Sequence, residues 1–292
     1  MTALLAALIV VIPPTMATRS IAPWTTPYPG EKLSMTVGVN TFTLYIPNTW
    51  KPQQNLSIQV HFHGPDWHMI QESIDRGSTD PLISSYAGEG STVYKNLMIA
   101  PGTLESWLAA AMVKLKERGA PSNAIFNAYD LTSFSAGYGA IRELVQQPTV
   151  FKRIRKVVLG DSMYGSLQST NPRVPLDAHI TVWEPLARAA MRGDKTFVVS
   201  VSSVPTSTYA SSSECLDALV KRVGGSWANA DPTWPCSQDP SFPLLRYFES
   251  RRFFAWHYGG SDAAAHNTQA RHFADIWKAI DPPRPKSVRD GS

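Results

Sequence analysis

The sequence predicts an α/β fold, a mostly parallel sheet covered by helices on both faces, and three observations lead there. Strand-like and helix-like segments alternate from Lys32 to Ile280 of the 292 residues. Several strand-like runs, among them Val157-Val158-Leu159 and Thr196 to Val201, are continuously apolar, as in strands buried on both faces. Between Ala124 and Val145 an apolar run, a turn of small residues centred on Ser135 and a helical stretch follow one another directly. In sheets of this kind ligands bind at the carboxyl ends of the strands.

Lys32 to Val37 and Thr41 to Ile46 alternate with period two around Gly38 and Asn40, which predicts an antiparallel pair. Leu56 to Phe62 is the next strand, and Leu97 to Ala100, closed by Pro101-Gly102, reads as another. Ser106 to Arg118, followed by Gly119, has helical spacing and a stop signal. Ala124 to Ala128 leads into the turn at Ser135. The runs at 157–159 and 196–201 follow, then Arg252 to Trp256, and a closing helix spans Thr268 to Ile280.

Composition sets the frame for these elements. At 43% hydrophobic and 17% charged the chain buries a large core, and residues 18–292 are expected to form one domain. The run Ala3 to Ile12 is too short to span a bilayer but fits the apolar part of a secretory signal, and Thr15-Met16-Ala17 offers a small-x-small cleavage site, although no Lys or Arg precedes it. Residues 1–17 are therefore expected to be a signal peptide, and the protein to be secreted or periplasmic without a stable membrane span. Its two cysteines, Cys215 and Cys236, would close one disulfide in an oxidising compartment. The net charge of +4 is small, and the basic run Lys152 to Lys156 leads into an apolar strand with no aromatic stripe beside it, so it reads as a solvated strand entrance rather than a nucleic-acid surface.

The chemistry centres on Ser133-Phe134-Ser135-Ala136-Gly137. A serine hydroxyl is a weak nucleophile until a base takes its proton, and the base needs an acid to orient it. Four histidines follow Ser135: His179, His257, His266 and His272. His266 lies in a Gly259-Gly260-Ser261 loop ahead of the last helix and is the favoured base; His257 sits at a strand end and His272 inside the helix. The acid is expected to be Asp161, just after the strand beside the elbow, with Glu214, Asp217, Asp231 and Asp262 as alternatives. Upstream, Val60-His61-Phe62-His63-Gly64-Pro65-Asp66-Trp67 ends a strand in His-Gly. His61, His63, Asp66 and His68 invite a metal reading, but their spacing does not fit the zinc motif H-x-H-x-D-H, so no metal and no organic cofactor are expected.

On Ser133 to Gly139, the His63-Gly64 strand end and the His266 loop, the chain resembles secreted serine esterases of the α/β-hydrolase fold, over roughly residues 32–280. It departs from their G-x-S-x-G elbow in having Ser133 for the first glycine. The resemblance implies a Ser135–Asp161–His266 triad in the family's chain order, cleaving a small-molecule or polymer ester through an acyl-enzyme. It implies an oxyanion hole whose first donor is the Ala136 N–H. The second donor is left open among Gly64, Asp66 and Trp67, because Pro65 has no N–H. The segment 205–250, too long for a plain connection, is expected to be a cap pinned by Cys215–Cys236. Its Trp227 and Trp234, with Trp67 and Tyr164, would line a substrate pocket or form the cap's own core. A serine peptidase or amidase on the same fold, and a catalytically silent hydrolase-fold binding protein, are the alternatives.

Overall fold

The computed structural model describes residues 27–231 and 243–281; the signal segment, Trp234 and Cys236 lie outside them. In chain order the elements are β1 (Gly30–Val37), β2 (Asn40–Pro47), β3 (Asn55–Phe62), α1 (Asp66–Asp75), β4 (Leu82–Ser85), α2 (Ser91–Met98), α3 (Thr103–Lys116) and β5 (Ile125–Phe134). A single 3₁₀ turn at Ser135–Gly137 then opens α4 (Tyr138–Leu144), followed by α5 (Pro148–Arg153), β6 (Ile154–Gly160), β7 (Leu167–Thr170), β8 (Arg173–Pro175), α6 (Asp177–Thr181) and α7 (Glu184–Arg192). The chain continues with β9 (Thr196–Val201), α8 (Ser212–Arg222), β10 (Ala228–Asn229), β11 (Leu244–Ser250), β12 (Phe253–Tyr258), α9 (Ala263–Ala270) and α10 (Phe273–Ile280).

Ten strands form one sheet in the order β1-β2-β4-β3-β5-β6-β9-β12-β11-β10. From β4 to β12 neighbours run parallel, and antiparallel strands flank them on both sides. The direction of build-up reverses around β3: β4 is added on one side of it, then β5, β6, β9 and β12 on the other. Such a reversal opens a crevice above the strand ends, because the connections leave for opposite faces.

Alternate residues of the central strands feed two cores, as a period of two requires. Leu131, Val157 and Val199 pack with Trp107, Ile141, Leu186 and Leu216 from α3, α4, α7 and α8 on one face. Val158, Val198 and Phe254 pack with Ile70, Phe273 and Trp277 from α1 and α10 on the other. The basic run at the start of β6 is neutralised rather than merely solvated: Arg155 reaches Asp130 at 2.6 Å and Asp80 at 3.1 Å, and Lys156 pairs with Asp281.

Four expectations need correction. The stretch expected as a strand at Leu97 to Ala100 is the end of α2, which buries Tyr94 and Met98 one turn apart; the strand is β4 instead. The closing helix is broken into α9 and α10 at Arg271-His272, where the Glu72 carboxylate caps α10 by accepting the Ala274 N–H at 2.6 Å. In the described part of 205–250, expected as a cap, Pro205, Thr206, Ser207 and Tyr209 border the cavity above the strand ends, and the rest packs elsewhere. Its helix α8 buries Cys215, Leu216, Leu219 and Val220 against the sheet, and β10 and β11 extend the sheet edge. Cys215 is a buried free thiol, not half of a disulfide, and burial pushes its pKa up to about 12.

Candidate active site

The elbow sits where β5 ends. Ser135 has φ +48°, a left-handed conformation that a non-glycine residue adopts at a cost of about 1–3 kcal/mol and that recurs where a side chain must be aimed. The turn is possible because Gly137 lacks a Cβ: one placed there would lie 2.1 Å from the Phe62 carbonyl oxygen at the end of β3. Ser133, standing where the elbow pattern has glycine, is fully buried and put to use. Its hydroxyl lies 2.8 Å from that of Ser162, which donates to the Ser135 carbonyl at 2.8 Å, so the pair tethers the elbow to the loop after β6.

That loop begins with Asp161, itself at φ +43° and 2% exposed. Its carboxylate accepts hydrogen bonds from the Ser202 hydroxyl and from the Ser202 N–H at 3.4 Å. Asp161 Oδ2 lies 2.8 Å from His266 Nδ1. His266 is in the first turn of α9, not in a loop; Asp262 caps that helix by accepting the Ala265 N–H at 2.9 Å. The Phe134 ring packs on the His266 imidazole with centroids 4.6 Å apart, and the Tyr164 hydroxyl lies 3.3 Å from Nδ1. Burial, then the Asp161 charge, raise the Tyr164 pKa, which keeps it a neutral phenol.

Of the competing bases and acids, His257, His272, Glu214 and Asp217 are engaged elsewhere, whereas His179 and Asp262 border the cavity of Ser135. His257 Nδ1 accepts from Arg246 Nε at 3.0 Å and its Nε2 lies 3.0 Å from the Ser203 hydroxyl; burial, then Arg246, lower its pKa to about 4. His272 faces Asp275 at 2.8 Å at the start of α10. Glu214 caps α8 and pairs with Arg173, Asp217 pairs with Arg246, and Asp231 is exposed beyond β10.

Ser135, Ala136, Tyr164 and His266 line one cavity of about 960 Å³ above the strand ends. Gly64 and Trp67 instead line a neighbouring cavity of about 490 Å³, bounded by Phe134 and Tyr86. Asp66 opens α1 and turns its carboxylate away to Lys32 at 2.8 Å and Thr43 at 2.7 Å. Trp227 lines neither cavity. It packs under the Arg246 guanidinium, 4.5 Å from the ring centroid, so it belongs to the sheet edge and not to the pocket expected for it.

The histidines before Gly64 are structural. His61 Nδ1 lies 2.8 Å from the Thr132 hydroxyl and its Nε2 2.8 Å from the His63 carbonyl oxygen; burial lowers its pKa to about 3. A neutral ring accepting from Thr132 and donating to His63 satisfies both contacts. His63, at φ +70°, hydrogen-bonds Tyr94 at 3.0 Å. Among the described residues no three His, Cys, Asp or Glu side chains are grouped to hold a metal.

Lys95 and Arg142, which sequence reasoning missed, also line the larger cavity, together with His179, which it considered only as a base or metal ligand. They come from α2, α4 and α6, so no local spacing links them.

No protein-family profile matches the chain, and no curated protein does. Among solved structures, a ferulic acid esterase from the anaerobic fungus Anaeromyces mucronatus is similar with a TM-score of 0.50 and 9% identity, covering 92% of this chain and 98% of that one. The enterobactin esterase of Shigella flexneri also has a TM-score of 0.50, at 12% identity, over 89% of this chain and 62% of its own. With the sheet order and the elbow already described, these likenesses establish the architecture: the chain has the α/β-hydrolase fold.

Proposed function

We propose that this protein is a serine esterase that works through an acyl-enzyme. Ser135 Oγ attacks the ester carbonyl while His266 takes its proton, and the alcohol leaves with that proton. Water then repeats the sequence on the acyl-serine to release the acid. The observation that carries this reading is the 2.8 Å contact between buried Asp161 and His266 Nδ1, made from the cavity that also exposes the strained elbow serine. With Nδ1–H donated to Asp161, Nε2 keeps its lone pair for the serine proton. The Ala136 N–H is the proposed first donor to the tetrahedral oxyanion, and a backbone N–H of the loop after β3, that of Gly64, Asp66 or Trp67, is the second.

The esterase and hydrolase neighbours support ester cleavage at the level of the fold. The test is Ser135→Ala on a short p-nitrophenyl ester, with a fluorophosphonate probe on the unaltered protein. Turnover should vanish in the variant, and the probe should label Ser135 alone. Undiminished turnover in Ser135→Ala would refute the assignment. Matched ester and amide substrates separate this reading from a peptidase.

A further inference from the structure

The cavity holding Ser135 and His266 is charged on one side. Lys95, Arg142 and His179 all line it, and their fields overlap: after burial, the Arg142 and Lys95 charges are what lower the His179 pKa. Among the described residues no carboxylate pairs with Lys95 or Arg142, whereas Arg118, Arg155, Arg173 and Arg246 each have one. Arg142 Nη1 is shielded from solvent and has no hydrogen-bond partner; its guanidinium rests over the Tyr138 ring, 5.2 Å from the centroid. His179 Nδ1 accepts the Ser166 N–H at 2.9 Å, which leaves the proton of the neutral ring on Nε2, a further donor.

Glu89 and Asp262 also line the cavity and keep their charges, but they stand apart from this wall: His179 feels the Arg142 and Lys95 charges, whereas Glu89 acts on His63 and Asp262 caps α9. A guanidinium with an ammonium and an imidazole N–H nearby is a donor set for a carboxylate or phosphate.

We infer that the substrate is an anionic ester, one whose acyl or alcohol half carries a carboxylate or phosphate that docks on the Lys95–Arg142–His179 wall while Ser135 addresses the carbonyl. This inference rests on the esterase reading above. It makes the enzyme selective by charge, and it predicts that selectivity weakens with added salt, because partly exposed charges are screened.

The experiment compares kcat/KM for matched pairs: p-nitrophenyl butyrate against mono-p-nitrophenyl glutarate for an acyl-side charge, and phenyl acetate against 4-acetoxybenzoate and 4-acetoxyphenyl phosphate for an alcohol-side charge. The unaltered protein should favour a charged member by about tenfold or more, as expected for charge-assisted hydrogen bonds. The charged-to-neutral ratio should fall at least about fivefold in Arg142→Gln and in Lys95→Gln, mainly through KM. The pair with the largest ratio identifies the half and the anion. Ratios near one in every pair, or ratios that neither substitution moves, overturn the inference while leaving the esterase intact. If no ester is turned over and the fluorophosphonate leaves Ser135 unlabelled, the esterase reading itself fails. Calorimetric titration with monomethyl glutarate and with phenyl phosphate then decides the wall alone: binding weakened by Arg142→Gln supports it, and absence of binding overturns it.

Discussion

Asp161→Asn changes one oxygen to an NH₂ group and tests the proposed triad where it is most specific. The carboxylate is 2% exposed and meets three donors: His266 Nδ1–H at 2.8 Å, the Ser202 N–H at 3.4 Å and the Ser202 hydroxyl. An asparagine has one acceptor oxygen. If its NH₂ faces His266, Nδ1 must become the acceptor, the imidazole proton moves to Nε2, and the base has lost its lone pair on the serine side. That wrong tautomer is worth about 10⁴ in kcat, or about 5.5 kcal/mol at 1.36 kcal/mol per tenfold. If the NH₂ takes the place of Oδ1 instead, it meets the Ser202 backbone N–H, which cannot accept, at a cost of about 1–3 kcal/mol; the first orientation, in which the Ser202 hydroxyl on the Oδ2 side rotates to accept, is therefore preferred. Turnover should therefore fall by about 10³–10⁴ while folding stability falls by no more than about 3 kcal/mol. Steady-state hydrolysis of a p-nitrophenyl ester and urea unfolding of the same preparation read the two quantities. Asp217→Asn, which touches only the Arg246 pair, is the control and should stay within about threefold. A variant that keeps more than a tenth of the activity with its fold intact would refute the role given to Asp161.

Further outcomes follow from the elbow and the buried imidazoles. Gly137→Ala puts a Cβ 2.1 Å from the Phe62 oxygen and 3.0 Å from Ser133 Cβ, so it should cost about 1–3 kcal/mol in urea unfolding and, by displacing the serine, about 100-fold in turnover. Gly90→Ala, where a Cβ meets nothing within 4 Å, should change stability by less than about 0.5 kcal/mol; equal losses in the two variants would contradict the packing argument. His61 and His257 have pKa values lowered to about 3 and about 4, so the folded protein holds them neutral while the unfolded chain protonates them near the ordinary value. Their contribution is therefore complete above pH 6.5 and is lost as pH falls toward 4 and then 3. Together they should remove up to about 4 kcal/mol between pH 6.5 and 5, and unfolding midpoints that stay level over that range would contradict their burial as neutral rings.

The parts of the site legible in the sequence are those set by local sterics and chain order. Ser135 was readable because an elbow needs small neighbours at fixed offsets, and Asp161 and His266 because strand ends deliver side chains to one edge. The helix around His266 was misread since Gly259-Gly260-Ser261 suggested a mobile loop, although Asp262 ahead of three alanines is a capping signal. Segment length suggested a cap at 205–250, while the i, i+1, i+4, i+5 pattern of Cys215, Leu216, Leu219 and Val220 marks a helix buried on one side, and that side of α8 packs on the sheet. The wall of Lys95, Arg142 and His179 was not legible as a group, because its members are joined only by the packing of α2, α4 and α6.

The His61 ring links Thr132, three residues before the serine, to the carbonyl of His63 at the start of the neighbouring loop. The spacing between the attacking strand and that loop is thus gauged by a rigid five-membered ring rather than by the loop's own soft dihedrals. The two hydrogen bonds therefore hold the end of β5 and the loop that carries Gly64 at one separation. The oxyanion donors proposed above would then need little reorganisation when charge develops, the condition under which fixed dipoles stabilise a transition state most.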